Sequence, residues 1–150
     1  MTDDQDVAVA LGDSIERFDH VSIAVRSIAS ASALLALVGA EHFDGGTSDM
    51  AAFRWEQYRL PGDAVLELIA PLDPDDASHF INRFIEERGE GLHHLTFKVK
   101  SLSNAVARAE ALGFTVVGID ETDPEWKEAF VHPKSTHGVL IQLAEFQSAV

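Results

Sequence analysis

The stretch FDHVSIAVRS (residues 18–27) returns later in the chain as LHHLTFKVKS (residues 92–101), and this repeat decides the predicted fold. Both stretches have a histidine at the third position, a hydroxyl residue two positions later, a valine three positions after that, and then a basic residue and a serine. The two histidines, His20 and His94, are 74 residues apart in a chain of 150. A period of about half the chain predicts two copies of one structural module.

The residues around each repeat predict the same order of elements. Each stretch alternates between apolar and polar residues, as a β-strand with two different faces does. A serine-led pattern with helical spacing follows at residues 27–39 and 101–113, and each pattern ends at a glycine. The strand-like runs that come next are MAAFRWEQYRLPG (50–62) and AVLELIAP (64–71), then FTVVGI (114–119), WKEAFVHP (126–133) and GVLIQLAE (138–145). This order is typical of an α+β fold in which two βαβββ modules form a curled mixed sheet, with helices outside and a polar cleft inside.

The predicted domain organisation is one domain preceded by a tail. Residues 1–16 read as a disordered acidic tail, and residues 17–150 as a single domain. Within the domain, module 1 spans 17–72, a linker helix lies within 73–91, and module 2 spans 92–150. The linker helix is expected to be capped by Asp75 or Asp76 and to bury its apolar side.

Composition and charge exclude several classes of partner. The formal net charge is −14, which repels nucleic acid and anionic membrane surfaces. The chain has no cysteine, so disulfides and thiolate chemistry are excluded, and a cytoplasmic location is expected. No apolar run approaches the roughly 20 residues of a membrane span, and the start lacks a signal-peptide pattern. The exposed strand edges of such a sheet predict a homodimer.

The repeat also predicts a metal site. Glu67 lies 47 residues after His20, and Gln142 lies 48 residues after His94. All four side chains are expected on the non-apolar faces of their strands, where a pseudo-twofold axis would bring them together. Two imidazoles, a carboxylate and a carboxamide form a ligand set for one divalent transition metal. The remaining histidines are expected to be structural: His42, His79, His93, His132 and His137.

Two more carboxylates and three basic residues are candidates for function. Glu56 lies five residues before Pro61, and Glu128 lies five residues before Pro133, so the two are expected to be equivalent. The alternative for both is a solvated strand residue that limits edge pairing. Basic side chains that could bind an anionic tail are Arg26, Lys98 and Lys134, although solvated surface residues are the simpler interpretation.

The doubled module resembles the vicinal oxygen chelate superfamily, which includes glyoxalase I, extradiol dioxygenases and bleomycin-resistance proteins. The segments DHVSIAV, LELIAPL, ERGEGLHHLTFKVKSL and FVHPKSTHGVLIQL are most similar to the methylmalonyl-CoA epimerase family, and the resemblance covers residues 18–146. It implies metal ligands at His20, Glu67, His94 and Gln142, and catalytic carboxylates at the positions of Glu56 and Gln142. Two departures stand out: epimerases usually have Glu at the position of Gln142, and a glycine-rich loop where this chain has DETDPEWKEAF.

The resemblance implies a metal-dependent isomerase that epimerises the α-carbon of a short branched acyl-CoA such as methylmalonyl-CoA. One divalent ion (Co, Zn, Ni, Mn or Fe) would stabilise the enolate, and two carboxylates would carry the proton. Because a carboxamide cannot do so, the pair must come from Glu56, Glu67 and Glu128. The exchanged ligands favour Glu67 with Glu128, and Glu56 is the rival to Glu128.

Two other functions remain open on the same residues. One is another metalloenzyme of the superfamily, either a glyoxalase-type lyase or an Fe(II) dioxygenase that uses His20, His94 and Glu67. The other is a metal-free protein that binds a small molecule on the same fold.

Overall fold

The computed structural model describes residues 14–147 of the chain. The strands are β1 (Ile15–Ala24), β2 (Glu41–Ser48), β3 (Phe53–Arg59), β4 (Val65–Pro71), β5 (Gly91–Val99), β6 (Val116–Asp123), β7 (Trp126–Val131) and β8 (Ile141–Glu145). The helices are α1 (Ser32–Leu37), α2 (Phe80–Arg88) and α3 (Leu102–Ala111), with 3₁₀ helices at Ile28–Ala31 and Pro133–Ser135. None of the helices within 14–147 has the length and apolarity that a membrane crossing requires.

The described residues form two compact units. The first unit is His20–His93, and the second consists of residues 14–19 and 94–147. Each unit contains one βαβββ module, so the predicted fold class, α+β with two such modules of mixed strands, is confirmed.

The first unit has a four-stranded sheet in the order β2-β3-β4-β1. β1 and β4 are parallel, and the two other pairs are antiparallel. On one face, Leu68 and Tyr58 pack with Ile28 and Leu35 from the helical segment that follows β1. On the other face, Ile69 packs against α2. The linker helix therefore covers part of the face that the sequence predicted to be a polar cleft.

The second unit repeats this arrangement in the order β5-β8-β7-β6, with residues 15–19 of β1 next to β5. β5 and β8 are parallel, and β6, β7 and β8 are antiparallel neighbours. One side of α3 packs on the sheet through four buried residues, which are Leu102, Ala105, Val106 and Ala109. Ser101 caps this helix because its hydroxyl accepts a hydrogen bond from the backbone N–H of Asn104.

Strand β2 lies outside the strand runs that the sequence predicted. Its sequence, EHFDGGTS, contains two glycines and is almost entirely exposed, so it lacks the apolar alternation that identifies a strand. β2 forms instead because it pairs with β3, from Glu41 opposite Arg59 to Ser48 opposite Phe53.

Several predicted boundaries also differ from the structure. β1 begins at Ile15, inside the segment 1–16 predicted as a tail, and residues 1–13 of that prediction lie outside the described residues. The linker helix begins only at Phe80 and is capped by His79, whose Nδ1 accepts from the N–H of Ile81. Asp76 does not cap it because its carboxylate accepts from the backbone and hydroxyl of Ser78, which forms a local turn instead.

Candidate functional site

The first unit places His20 and Glu67 side by side on the parallel strands β1 and β4. Both residues are buried, and His20 Nε2 lies 3.4 Å from Glu67 Oε1. Ser22 is in register with Glu67, and its hydroxyl donates a 2.7 Å hydrogen bond to Oε1. Gln57 on β3 donates a 2.9 Å bond from Nε2 to the other oxygen, Oε2. The Glu67 carboxylate is thus held at both oxygens and points along the face that carries His20.

The second unit contains a matching set on β5 and β8. His94 and Gln142 are buried, and Thr96 is in register with Gln142. The Thr96 hydroxyl donates a 2.6 Å hydrogen bond to Gln142 Oε1. Gln142 Nε2 in turn donates to Glu128 Oε2 at 3.3 Å. The hydroxyl residue two positions after each histidine therefore orients the oxygen-bearing residue on the neighbouring parallel strand, which explains that feature of the repeat.

The protonation of the two carboxylates differs because their neighbours differ. Burial alone would raise the pKa of Glu67, but hydrogen bonds from His20, Ser22 and Gln57 outweigh it and lower that pKa below its usual value. In the second unit burial dominates and raises the pKa of Glu128, although Gln142 and Trp126 donate hydrogen bonds to it. Glu67 is therefore an ionised carboxylate suited to a cation, and Glu128 is a carboxyl group that holds its proton to higher pH.

Glu56 lies on the opposite face of its sheet from Glu67. β3 pairs Gln57 with Glu67 and Glu56 with Leu68, and successive residues of a strand point to opposite faces. In β7, Phe130 pairs with Gln142, so Gln57 corresponds to Phe130 and not to Glu128.

The predicted equivalence of Glu56 and Glu128 is therefore wrong. The prediction rests on counting residues back from Pro61 and Pro133. That count fails because the two loops differ in length: residues 60–64 separate β3 from β4, whereas the longer segment 132–140 separates β7 from β8. Glu128, two residues before Phe130, shares the face of Gln142, and Glu56 does not share the face of Glu67.

The three basic candidates occupy different environments. Lys98 is buried, pairs with Glu16 at 2.7 Å and lies 5.0 Å from the centre of the Phe146 ring. Arg26 is exposed beside Glu90, whose carboxylate accepts from the Arg26 backbone N–H. Lys134 is exposed in the second 3₁₀ helix. The charge of Lys98 is thus balanced by an ion pair with Glu16, while Arg26 and Lys134 present their side chains to solvent.

His93, next to the candidate ligand His94, packs as a structural residue. Its ring lies 4.8 Å from the Phe84 ring and 5.9 Å from the Phe80 ring, both on α2. Burial, with the charge of Arg88, lowers the pKa of His93 to about 4. A neutral imidazole at this position agrees with the predicted structural role.

One residue that contacts the candidate site, Gln57, was missed in the sequence, and it holds Glu67. The alternation of β3 is the signal that could have found it, because it places Gln57 on the face of the predicted ligand. Trp126, whose position in the sequence already suggested a place in an acyl pocket, donates from Nε1 to Glu128 Oε1 at 3.2 Å and stacks on Phe146 with ring centres 4.7 Å apart.

The fold defines a class of protein built from two βαβββ modules, and in this chain each module carries a buried histidine and a buried Glu or Gln on neighbouring parallel strands. The sequence profile of the Glyoxalase/Bleomycin resistance protein/Dioxygenase superfamily matches residues 19–130, and the chain belongs to this superfamily.

Individual relatives extend this result. The chain is 33% identical over 142 residues to the uncharacterized protein YqjC of Bacillus subtilis (strain 168), which covers 87% of this chain and 93% of that protein. The structure of methylmalonyl-CoA epimerase from Mycobacterium tuberculosis superposes with a TM-score of 0.77 at 28% identity, covering 91% of both chains. Hypothetical protein BH1468 from Bacillus halodurans C-125 superposes with a TM-score of 0.79 at 25% identity, covering 89% of this chain and 96% of that one.

Proposed function

We propose that this protein is a metal-dependent isomerase that epimerises the α-carbon of a short branched acyl-CoA such as methylmalonyl-CoA. The observation that carries the proposal is the pair of carboxyl groups Glu67 and Glu128, each fixed by hydrogen bonds beside buried metal-type donors. The similarity to the mycobacterial epimerase supports the choice of substrate class.

The proposed ligands of one divalent ion are His20, Glu67, His94 and Gln142. The three residues of this set with strong donor groups, His20, Glu67 and His94, are buried and each offers one ligand atom. The donor set fits a transition ion such as Co, Zn, Ni, Mn or Fe, because it combines imidazole nitrogens with one charged oxygen. When bound, such an ion stabilises negative charge that develops on a thioester carbonyl oxygen.

Proton transfer is assigned to Glu67 and Glu128. Inversion at a carbon needs a base on one side and an acid on the other, and Glu67 and Glu128 are carboxyl groups on the strand faces that carry the proposed ligands. Ser22 and Gln57 fix the Glu67 carboxylate, and Trp126 and Gln142 fix the Glu128 carboxyl. The rival Glu56 is disfavoured because it points to the other face of its sheet.

The surroundings of Glu128 suit an acyl group. Trp126 and Phe130 lie on the same face of β7 as Glu128, and Phe146 stacks on Trp126. Aromatic rings beside a carboxyl group supply apolar surface for a methyl branch and exclude water from the proton transfer. Arg26 and Lys134, both exposed, are the proposed contacts for the anionic part of the CoA.

The test is exchange of the α-proton of methylmalonyl-CoA for deuterium, followed by NMR in D₂O. The wild-type protein loaded with Co should catalyse exchange, and Glu128→Gln should lower the rate by roughly a hundredfold. The matched control is Glu125→Gln, an exposed residue close to Glu128 in sequence, which should keep the wild-type rate. Full activity of Glu128→Gln would contradict the role of Glu128 in proton transfer. No exchange with any of the proposed metals would contradict the proposed substrate class.

A second candidate function rests on the two imidazoles and the single carboxylate. His20, His94 and Glu67 also match the ligand set of a non-haem Fe(II) dioxygenase, and a glyoxalase-type lyase would use the same donors. A strict requirement for iron and O₂ would select the dioxygenase. Purified protein without metal, and without thermal stabilisation by added metal, would instead select a metal-free binding protein.

A further inference from the structure

A second cluster of polar side chains lies on β2 and β3, on the face of the first unit opposite Glu67. Its centre is Glu56, which is buried although it is charged. His42 Nε2 lies 2.5 Å from Glu56 Oε2, and Arg54 contacts Oε1 through Nε at 2.8 Å and through Nη2 at 2.7 Å. One buried carboxylate thus holds an imidazole and a guanidinium at fixed positions.

The backbone of β2 makes room for this carboxylate. Gly45 is directly opposite Glu56 in the β2–β3 register. A side-chain carbon at Gly45 would collide with the Glu56 carboxyl group, so the glycine lets Glu56 lie flat across β2 toward His42. The register shifts between His42 and Asp44, and His42 is opposite Tyr58, which lies on the same face of β3 as Glu56. Gly45, one of the two glycines that hide β2 in the sequence, therefore serves this cluster.

The imidazole and the guanidinium keep polar atoms that Glu56 does not contact. His42 presents Nε2 to the carboxylate, so its Nδ1 lies on the other side of the ring. Arg54 uses Nε and Nη2 on the carboxylate, and its Nη1 group takes no part in this contact. Both side chains are 52% exposed, so a ligand from solvent can approach them.

We propose that His42 and Arg54 form a binding site for an oxyanion, a phosphate or carboxylate group, with Glu56 as the residue that positions both. Imidazole and guanidinium side chains bind such groups through directed hydrogen bonds, which are stronger where the donor is charged. The Arg54 guanidinium balances the Glu56 carboxylate, so these two groups add no net negative charge to this face of a chain whose net charge is −14. Because this face is opposite the one that carries Glu67, the site is separate from the proposed isomerase chemistry.

Two further observations favour a ligand over a purely structural cluster. An exposed ion pair contributes little to stability, and here only the carboxylate is buried while the His42 and Arg54 side chains remain half exposed. The imidazole ring is also fixed from a second side by the Tyr58 ring, whose centre lies 5.3 Å away. Fixing two exposed side chains in advance lowers the entropic cost of binding an anion.

The test titrates inorganic phosphate and, separately, acetate into the full-length protein at about pH 6, where free imidazole is largely protonated. The readout is the ¹⁵N shift of the His42 ring. Saturable binding of at least one anion is expected, and the tighter of the two distinguishes a phosphate ligand from a carboxylate ligand. Arg54→Gln should weaken that binding at least about tenfold, because it removes a hydrogen bond to a charged group.

The matched control is Arg59→Gln. Arg59 is on the same strand as Arg54 but on the other face, where its guanidinium lies 4.3 Å from the centre of the Phe43 ring, and the variant should bind as the wild type does. Unchanged affinity in Arg54→Gln, or no saturation by either anion, would overturn the site. Metal content is measured on the same samples, so failure of the anion site is distinguishable from failure of the isomerase proposal.

Discussion

At the scale of single residues, the three glutamates Glu56, Glu67 and Glu128 have different roles although they sit on similar strands. Three donors lower the pKa of Glu67, Glu128 is half-buried with a raised pKa, and Glu56 holds the His42 and Arg54 side chains on another face. Local partners and strand parity, and not residue type, assign these roles. The sequence could place Glu67 because the spacing of parallel strands is fixed by the repeat, but counting back from Pro61 gave the wrong face for Glu56.

Glu56→Gln should lower stability in a pH-dependent way. Burial alone would raise the pKa of Glu56, but His42 and Arg54 donate to it and lower that pKa overall. A lowered folded-state pKa contributes stability above the unfolded value of about 4.3 and loses it as the pH falls. The variant should be less stable than wild type by about 1 kcal/mol at neutral pH.

The measurement is urea unfolding at a series of pH values. The difference between wild type and Glu56→Gln should shrink as the pH falls below about 4. Glu86→Gln, on the exposed side of α2, is the control and should differ little from wild type at any pH. A difference between wild type and Glu56→Gln that is constant with pH would show that the carboxylate charge is not what the cluster uses.

Thr96→Val tests the hydroxyl that orients Gln142. The change removes the 2.6 Å hydrogen bond at nearly constant volume, so folding should survive. Loss of a partner that orients a metal ligand typically weakens metal binding by about 10- to 100-fold. Competition with a chelator measures this affinity, and Thr47→Val on the exposed strand β2 is the control. Equal affinity in the two variants would contradict the role given to Thr96.

At the scale of secondary-structure elements, the sequence predicted the elements whose apolar pattern is strong. The helix at 101–113 is observed as α3, with Ser101 as its cap, because its stripe faces the core of the second unit. β2 could not be predicted because its pairing with β3, and not its own apolar residues, keeps it in the sheet. The first residue of α2 could not be predicted from the sequence, because Asp76 accepts a hydrogen bond from Ser78 in a local turn and His79 caps the helix in its place.

Leu102→Ala tests the packing of α3 on its sheet. Leu102 is fully buried in the cluster that joins α3 to β7 and β8, so the change removes buried methyl groups and leaves a cavity. The expected loss in the free energy of unfolding is about 2–5 kcal/mol. Leu37→Ala makes the same change at the end of α1, where the side chain is 81% exposed, and should cost little. Similar losses from both changes, measured by urea unfolding, would contradict this packing.

At the scale of the whole molecule, the strongest sequence signal was the repeat itself. Each copy folds into one βαβββ module, and the spacing of about half the chain follows from that duplication. The same signal predicted which four side chains are candidate ligands, because duplication preserves the strand positions from which they project. Loop length is not preserved by duplication, so alignment through the two prolines failed for Glu56.

The predicted homodimer rests on strand edges. β2 and β6 are terminal in their strand orders and almost fully exposed, and Val117 and Ile119 leave apolar surface on β6. Edges of this kind present unpaired backbone N–H and C=O groups, with which a strand of another chain can pair. Sedimentation at micromolar concentration should find a dimer, and Ile119→Lys should shift it toward monomer. A wild-type protein that sediments only as a monomer would contradict this prediction.

The most direct test of the central claim is the metal stoichiometry of protein purified without chelator, measured by elemental analysis. If one ion is held by ligands from both modules, wild type should contain about one divalent metal per chain, and both His20→Ala and His94→Ala should contain almost none, since each removes a ligand of the same ion. Ser103→Ala, an exposed position on α3, serves as the control. No metal in the wild type, or about half of its metal remaining in each histidine variant, would contradict the account.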